Sequence, residues 1–182
     1  MKLKWFYLLA LPVALISFRS LEKRVLSKRF FHRSVSGMPY IVIDKSDYEL
    51  QIFDEEGWYA TYPVVFGSKD LNDKMIEGDR KTPEGNFRIA SKRPHEKWDK
   101  MLLLNYPTQA DIDKFNQRKA RGIIPASAKI GGGIGIHGTW PRDEMAVDRY
   151  QNWTNGCISM KRDQVDEVYS LIPVGTSVTI QR

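Results

Sequence analysis

The sequence predicts a mainly β fold, a sandwich or barrel with a few short helices, preceded by an N-terminal apolar segment. Three observations predict it. Short β-branched and aromatic runs recur from residue 40 to the C-terminus, and Gly, Pro, Asn or Asp punctuate them. Helical signals are confined to two stretches, one opening at Thr108 and one over Asp163–Ile172.

Taken in order, Tyr40–Asp44 (YIVID) is apolar and β-branched, and Glu49–Phe53 (ELQIF) alternates over its first four residues as a half-buried strand does. Asp54-Glu55-Glu56-Gly57 has turn chemistry, with Gly57 free to take positive φ. Trp58–Phe66 (WYATYPVVF) returns as a partner strand, so 40–66 reads as a meander, and Pro63 predicts an edge position or a bulge. Gly67–Lys81 is polar and reads as a loop. Thr82-Pro83-Glu84-Gly85 is a turn leading into a strand at Asn86–Ala90, and Met101–Asn105 (MLLLN) is a further apolar run. Pro107 precedes Thr108, and Asp111 follows three residues on, close to a capping box. Only Ile112 and Phe115 give that helix an apolar face, which predicts a surface element flanking a cleft. In Asp163–Ile172, Val165, Val168, Tyr169 and Ile172 share one helical face. Pro173-Val174-Gly175 ends this helix, and Ser177–Gln181 is a closing strand.

The N-terminus reads separately. Lys2 and Lys4 precede an uncharged apolar run, Trp5–Phe18, the pattern of a secretory signal. The run is shorter than the roughly 20 residues of a spanning helix. No small-x-small cleavage site follows it, so a cleaved signal and an uncleaved anchor both stay open, with basic residues 19–33 as a linker near the membrane. The predicted organisation is 1–38 as signal or anchor plus linker and 39–182 as the folded domain. Export to the periplasm or cell envelope, with anchoring in the inner membrane as one outcome, is the expectation.

Charge follows this division. Of 28 basic and 22 acidic residues, eight and one lie in 1–38, which leaves 20 and 21 for 39–182. A body so near neutrality lacks the electrostatic footprint of phosphate-backbone binding, which argues against nucleic acid as a partner. Cys157 is the only cysteine. In an oxidising compartment it has no intramolecular partner, so it is either an inert buried residue or a reactive thiol.

The stretch Gly131–Met160 favours the reactive thiol. A strand carrying Ile134 and Ile136 delivers His137, and a small-residue turn of Asn155 and Gly156 delivers Cys157. Thiol and imidazole together suffice for nucleophilic acyl transfer. A carbonyl at Gly138 or Thr139 would fix the tautomer of His137. The backbone N–H groups of Gly156 and Cys157 would serve as oxyanion donors if the turn leaves them unpaired. Activity should then rise as the pair reaches its reactive protonation state across the imidazole range. His32, in the linker, and His95, in the charged run KRPHEKW, read as solvated side chains. Asp143, Glu144 and Asp148 read as a solvated loop rather than a metal site, and the glycine run at 131–135 lacks the context of a phosphate cradle.

Ile136-His137-Gly138-Thr139 followed by Thr154-Asn155-Gly156-Cys157-Ile158 resembles the L,D-transpeptidase (YkuD) catalytic domain. Tyr62-Pro63-Val64 with Gly67, and Thr82-Pro83-Glu84-Gly85-Asn86-Phe87, resemble two further elements of that family, so the resemblance spans roughly 39–182. It implies an L,D-transpeptidase-like fold and a cysteine acyltransferase acting on peptidoglycan stem peptides without a cofactor or metal. Cys157 would attack an L-centre diaminoacid carbonyl and expel a D-amino acid, leaving a thioester for an amine or water to resolve. His137 would be the base, Gly138 would hold it, and Thr154 would shape the turn with Asn155 and Gly156. Thr139, Ser159 and Arg142 are the candidates for substrate contact. Asn155 and Ser159 depart from the family pattern, which often has His at the first position and Arg or Asn at the second. Arg142 or Arg162 is the candidate replacement for the missing guanidinium. The alternatives carried forward are a murein hydrolase on the same fold (carboxypeptidase, endopeptidase or amidase) and a wall-binding module without turnover.

Overall fold

The computed structural model describes residues 34–182, so the segment expected to be a signal or anchor, and His32, lie outside the described residues. Strands β1 (Tyr40–Asp44), β2 (Glu49–Asp54) and β3 (Gly57–Pro63) form the predicted meander. Alternation sends Ile41, Ile43, Leu50 and Ile52 inward. β3 is an edge of the sheet and Pro63 ends it, where a missing N–H leaves no ladder bond unmade. The register slip in this hairpin falls between Ile52 and Phe53, away from Pro63.

β4 (Gly85–His95) runs five residues past the predicted strand. Its first half pairs with β8 (Ser177–Gln181), its second half pairs with β5 (Asp99–Leu104), and a register shift between Ile89 and Ser91 separates the two. The extension is the run Ser91-Lys92-Arg93-Pro94-His95, whose polar, largely solvent-facing side chains give no alternating signal. The run read as a charged loop is therefore a hairpin that reverses at Glu96–Trp98.

β5 pairs with β6 (Gly135–Gly138), which runs parallel to β7 (Ile158–Met160). The eight strands follow the order β3-β2-β1-β8-β4-β5-β6-β7. The two edges then meet: Val65, just past β3, exchanges two 2.8 Å backbone bonds with Ser159 of β7. The sheet thereby closes upon itself, a near-barrel with its core inside.

Three short helices complete the described residues. α1 (Gln109–Ala120) begins at a capping box made by Thr108 and Asp111, as the sequence predicts, and buries Asp111 and Phe115. α2 (Met145–Asp148) is one turn within the stretch read as a solvated loop; it buries its own Ala146 and Val147, and Asp148 pairs with Lys161 at 2.7 Å. α3 (Arg162–Leu171) buries Val165 and Val168 and packs against β5 and β6, steadying the strand that carries His137. No helix among the described residues is long and apolar enough to cross a membrane.

Candidate active site

β6 and β7 lie side by side with Ile136 opposite Ile158, His137 opposite Ser159 and Gly138 opposite Met160. Ile136, Ile158 and Met160 belong to the core. Alternation therefore puts His137 and Ser159 together on the other face of the two strands, and Cys157, the residue just before β7, continues the same period of two. Cys157 stands two residues before the partner of His137, so thiol and imidazole are diagonal neighbours on one face.

The His137 ring is 1% exposed. Its Nδ1 lies 2.8 Å from the Gly138 carbonyl oxygen, so Nδ1 carries the proton and Nε2 keeps a lone pair. Trp98 stacks on the ring at 4.5 Å, and Trp153 meets it edge-on at 5.6 Å. His95, expected to be solvated, is half-buried and stacks on Trp98 at 4.3 Å. Burial pushes the His137 pKa down from 6.5 to about 4; the Gly138 carbonyl opposes the shift and the neighbouring His95 adds to it.

Cys157 is half-buried, and its Sγ–H points to the Gly133 carbonyl oxygen at 3.4 Å. Burial pushes the thiol above its ordinary 9.0, while the Gly135 N–H and the Lys74 charge pull it back. With one pKa raised and the other lowered, thiol and imidazole rest as a neutral pair near pH 7 rather than as a thiolate and an imidazolium.

Three carbonyls of Thr154–Cys157 are held by hydrogen bonds. Arg80 Nε donates to Thr154 O at 3.2 Å, Thr82 Oγ1 to Gly156 O at 2.9 Å, and Thr154 Oγ1 to Cys157 O at 2.7 Å. Gly156 has φ +122°, and a Cβ there would come within 2.7 Å of Lys81 O, so both conformation and space require glycine. Gly67 is required for space alone, since a Cβ would lie 2.4 Å from Thr154 O.

The Gly156 N–H donates to Thr154 Oγ1 at 3.1 Å, so the condition set for it as an oxyanion donor is not met. Thr139 and Ser159, candidates for substrate contact, are both 0% exposed and present no surface to a ligand. Strand pairing and the Val65 closure bury Ser159, and Thr139 Oγ1 donates to Asp143 O at 3.3 Å. Arg142 is exposed in the turn after Trp140. Arg162 lies beside Asp99 and the Lys97 carbonyl. Asn155 is exposed and lines a cleft of about 320 Å³ beside the thiol, with Lys74, Glu77, Gly131, Gly132 and Ile134.

Sequence reasoning assigned no role to Trp98, Trp153, Arg80, Thr82 or Lys74. The Thr-Pro-Glu-Gly element signalled that 82–85 mattered, without indicating which atom. The tryptophans lie 39 and 16 residues from His137 in sequence, and no periodicity links them to it.

A profile of the L,D-transpeptidase catalytic domain, YkuD, matches residues 38–180. YqjB of Bacillus subtilis (strain 168), provisionally named an L,D-transpeptidase, is 30% identical over 148 residues, 79% of this chain and 72% of that protein. Among solved structures, the helical cell shape determining protein Pgp2 of Campylobacter jejuni is 25% identical with a TM-score of 0.59, covering 80% of this chain and 48% of its own. An L,D-transpeptidase of Stackebrandtia nassauensis shares the fold at 12% identity, with a TM-score of 0.54, covering 88% of this chain and 63% of its own. The chain thus spans about half the length of Pgp2.

Proposed function

Because the chain belongs to the L,D-transpeptidase (YkuD) catalytic domain family, we propose that it is a cysteine acyltransferase acting on peptidoglycan stem peptides, with Cys157 as nucleophile and His137 as base. One observation carries the assignment. Adjacent parallel strands put thiol and imidazole on the same face, and the Gly138 carbonyl holds the imidazole with Nε2 as its basic nitrogen.

The step follows from the neutral resting pair. Nε2 takes the thiol proton as Sγ attacks the acyl carbon, so the C–S bond forms without a standing thiolate. The Thr82 bond to Gly156 O fixes the 156–157 peptide plane, and the Cys157 N–H points to the side opposite that carbonyl. That N–H is the donor assigned to the developing oxyanion. The C–N bond then breaks, the imidazolium proton goes to the departing amine, and a thioester remains. An acceptor amine resolves it to a crosslink.

Incubating the purified protein with disaccharide tetrapeptides should release the terminal D-amino acid and give linked dimers, and Cys157→Ala should abolish both. Trimmed monomers without dimers would make the protein a hydrolase. Neither product, with Cys157 intact, would overturn the acyl-transfer reading. Export forms part of the same proposal, motivated by Lys2, Lys4 and Trp5–Phe18; a periplasmic reporter fused after residue 38 should be active.

A further inference from the structure

We propose that Trp98, at the tip of the β4–β5 hairpin, is the positioning residue for the base: its indole and its backbone carbonyl together hold His137 in the orientation that leaves Nε2 free for the thiol proton. The inference rests on the reading of His137 as base and adds what keeps it in place.

His137 needs support beyond its own hydrogen bond. Its Nδ1 partner is the neutral carbonyl of the next residue, Gly138, at 2.8 Å, not a carboxylate. A neutral hydrogen bond is roughly half as strong as a charge-assisted one, and a single bond at the ring edge does not resist tilting about its axis. The indole supplies that resistance. Trp98 stacks on the imidazole at 4.5 Å with 22° between the planes, while Trp153 meets it edge-on. The backbone of Trp98 reaches the same target. Its carbonyl accepts the Gly138 N–H at 3.0 Å, and the Thr139 N–H donates to Met160 O at 2.8 Å, so the peptides on both sides of Gly138 are fixed. A Cβ at Gly138 would come within 2.6 Å of Trp98 O, so this approach requires glycine. One residue thus acts both on the imidazole and on the group that holds its Nδ1 proton.

The hairpin tip is built to hold Trp98 there. His95 stacks on the indole at 4.3 Å with 17° between the planes. The same His95 accepts the Lys97 and Trp98 N–H groups at Nδ1, at 3.2 and 3.4 Å, which ties the turn together. The placement has a cost. Asp99 takes a left-handed φ of +64°, and Trp98 Nε1 is buried without a hydrogen-bond partner among the described residues. The indole is therefore placed by its stacked rings and by its own backbone, not by its polar atom. A strained turn and an unsatisfied N–H both fall at the tip that covers the imidazole, where strain of this kind marks a functional constraint.

The test compares full-length Trp98→Leu, which keeps apolar bulk without a planar face, with Trp98→Phe, which keeps the face. Nitrogen-15 spectra of His137 at pH 7 report its tautomer, and steady-state kinetics use disaccharide tetrapeptides. The wild type and Trp98→Phe should hold the Nδ1–H tautomer. Trp98→Leu should show a mixture of tautomers, a kcat about tenfold lower with KM retained, and an acid limb of kcat/KM moved up from near pH 4 as water reaches the ring. An unchanged tautomer in Trp98→Leu, with or without a loss of kcat, would overturn the proposal, as would equal losses in Trp98→Leu and Trp98→Phe. If Trp98→Leu lacks a cooperative urea transition, His95→Ala decides instead, since it removes the support of the indole without touching Trp98. Tautomer mixing with a smaller fall in kcat is then expected, and an unaltered His137 spectrum would overturn the proposal. Absence of product from the wild type, with the tautomers ordered as stated, would overturn the acyl-transfer reading and leave the hold of Trp98 on His137 standing.

Discussion

At the scale of the residue, the controlling fact is that His137 is buried as a neutral group. Its pKa of about 4 lies below the 6.5 it takes in an unfolded chain, so between those values the unfolded state binds more protons. The sign follows: stability contributed by this group is full above pH 6.5 and is lost as pH falls toward 4, amounting to about 3 kcal/mol. Urea unfolding at pH 7, 5.5 and 4 should show that loss in the wild type and lack it in His137→Gln. The same shift moves the kinetic test. A base with this pKa gives an acid limb in kcat/KM near pH 4, so a flat profile through pH 6–7 is expected, contrary to what an ordinary imidazole suggests from sequence. The raised thiol adds an independent check: iodoacetamide should label Cys157 slowly at pH 7 and faster above pH 9.0.

At the scale of the element, the loop from Gly67 to Lys81 and the turn Thr154–Gly156 form one device. Asp79 anchors the loop. Burial alone would raise its pKa, but Lys74 and the N–H groups of Met75, Ile76 and Lys81 outweigh that and hold it below 3.8. Thr82, one residue past the loop, then grips Gly156 O at 2.9 Å. Thr82→Val keeps the shape and removes that bond. The expected cost is about 1 kcal/mol of stability and about a tenfold drop in kcat, because the Cys157 peptide plane is freed. Thr82→Ser should restore both, and steady-state kinetics with a chemical melt decides the matter.

For the whole molecule, closure depends on residues distant in sequence. β8 lies between β1 and β4, parallel to the first and antiparallel to the second, so the last strand made is central to the sheet. Ile180 is 2% exposed and faces the core. Ile180→Ala should cost about 2–5 kcal/mol in urea unfolding, with little change in kcat per folded molecule. Thr82→Val, in contrast, reduces turnover at modest cost to stability.

The sequence by itself determined the strands whose side chains alternate, the capped helix at Thr108, and the family, because each is written in local pattern or in short motifs. It did not reveal β7, which is three residues long, or the polar half of β4, whose outward side chains give no hydrophobic period. Only the tertiary structure decided that Ser159 is sealed by Val65, that the Gly156 N–H is already committed to Thr154, and that Trp98 and Trp153 enclose the imidazole. The physical reason is the same in each case: burial and hydrogen-bond satisfaction depend on which distant segments meet. The amino-acid order names the reacting groups, and packing sets their protonation and access.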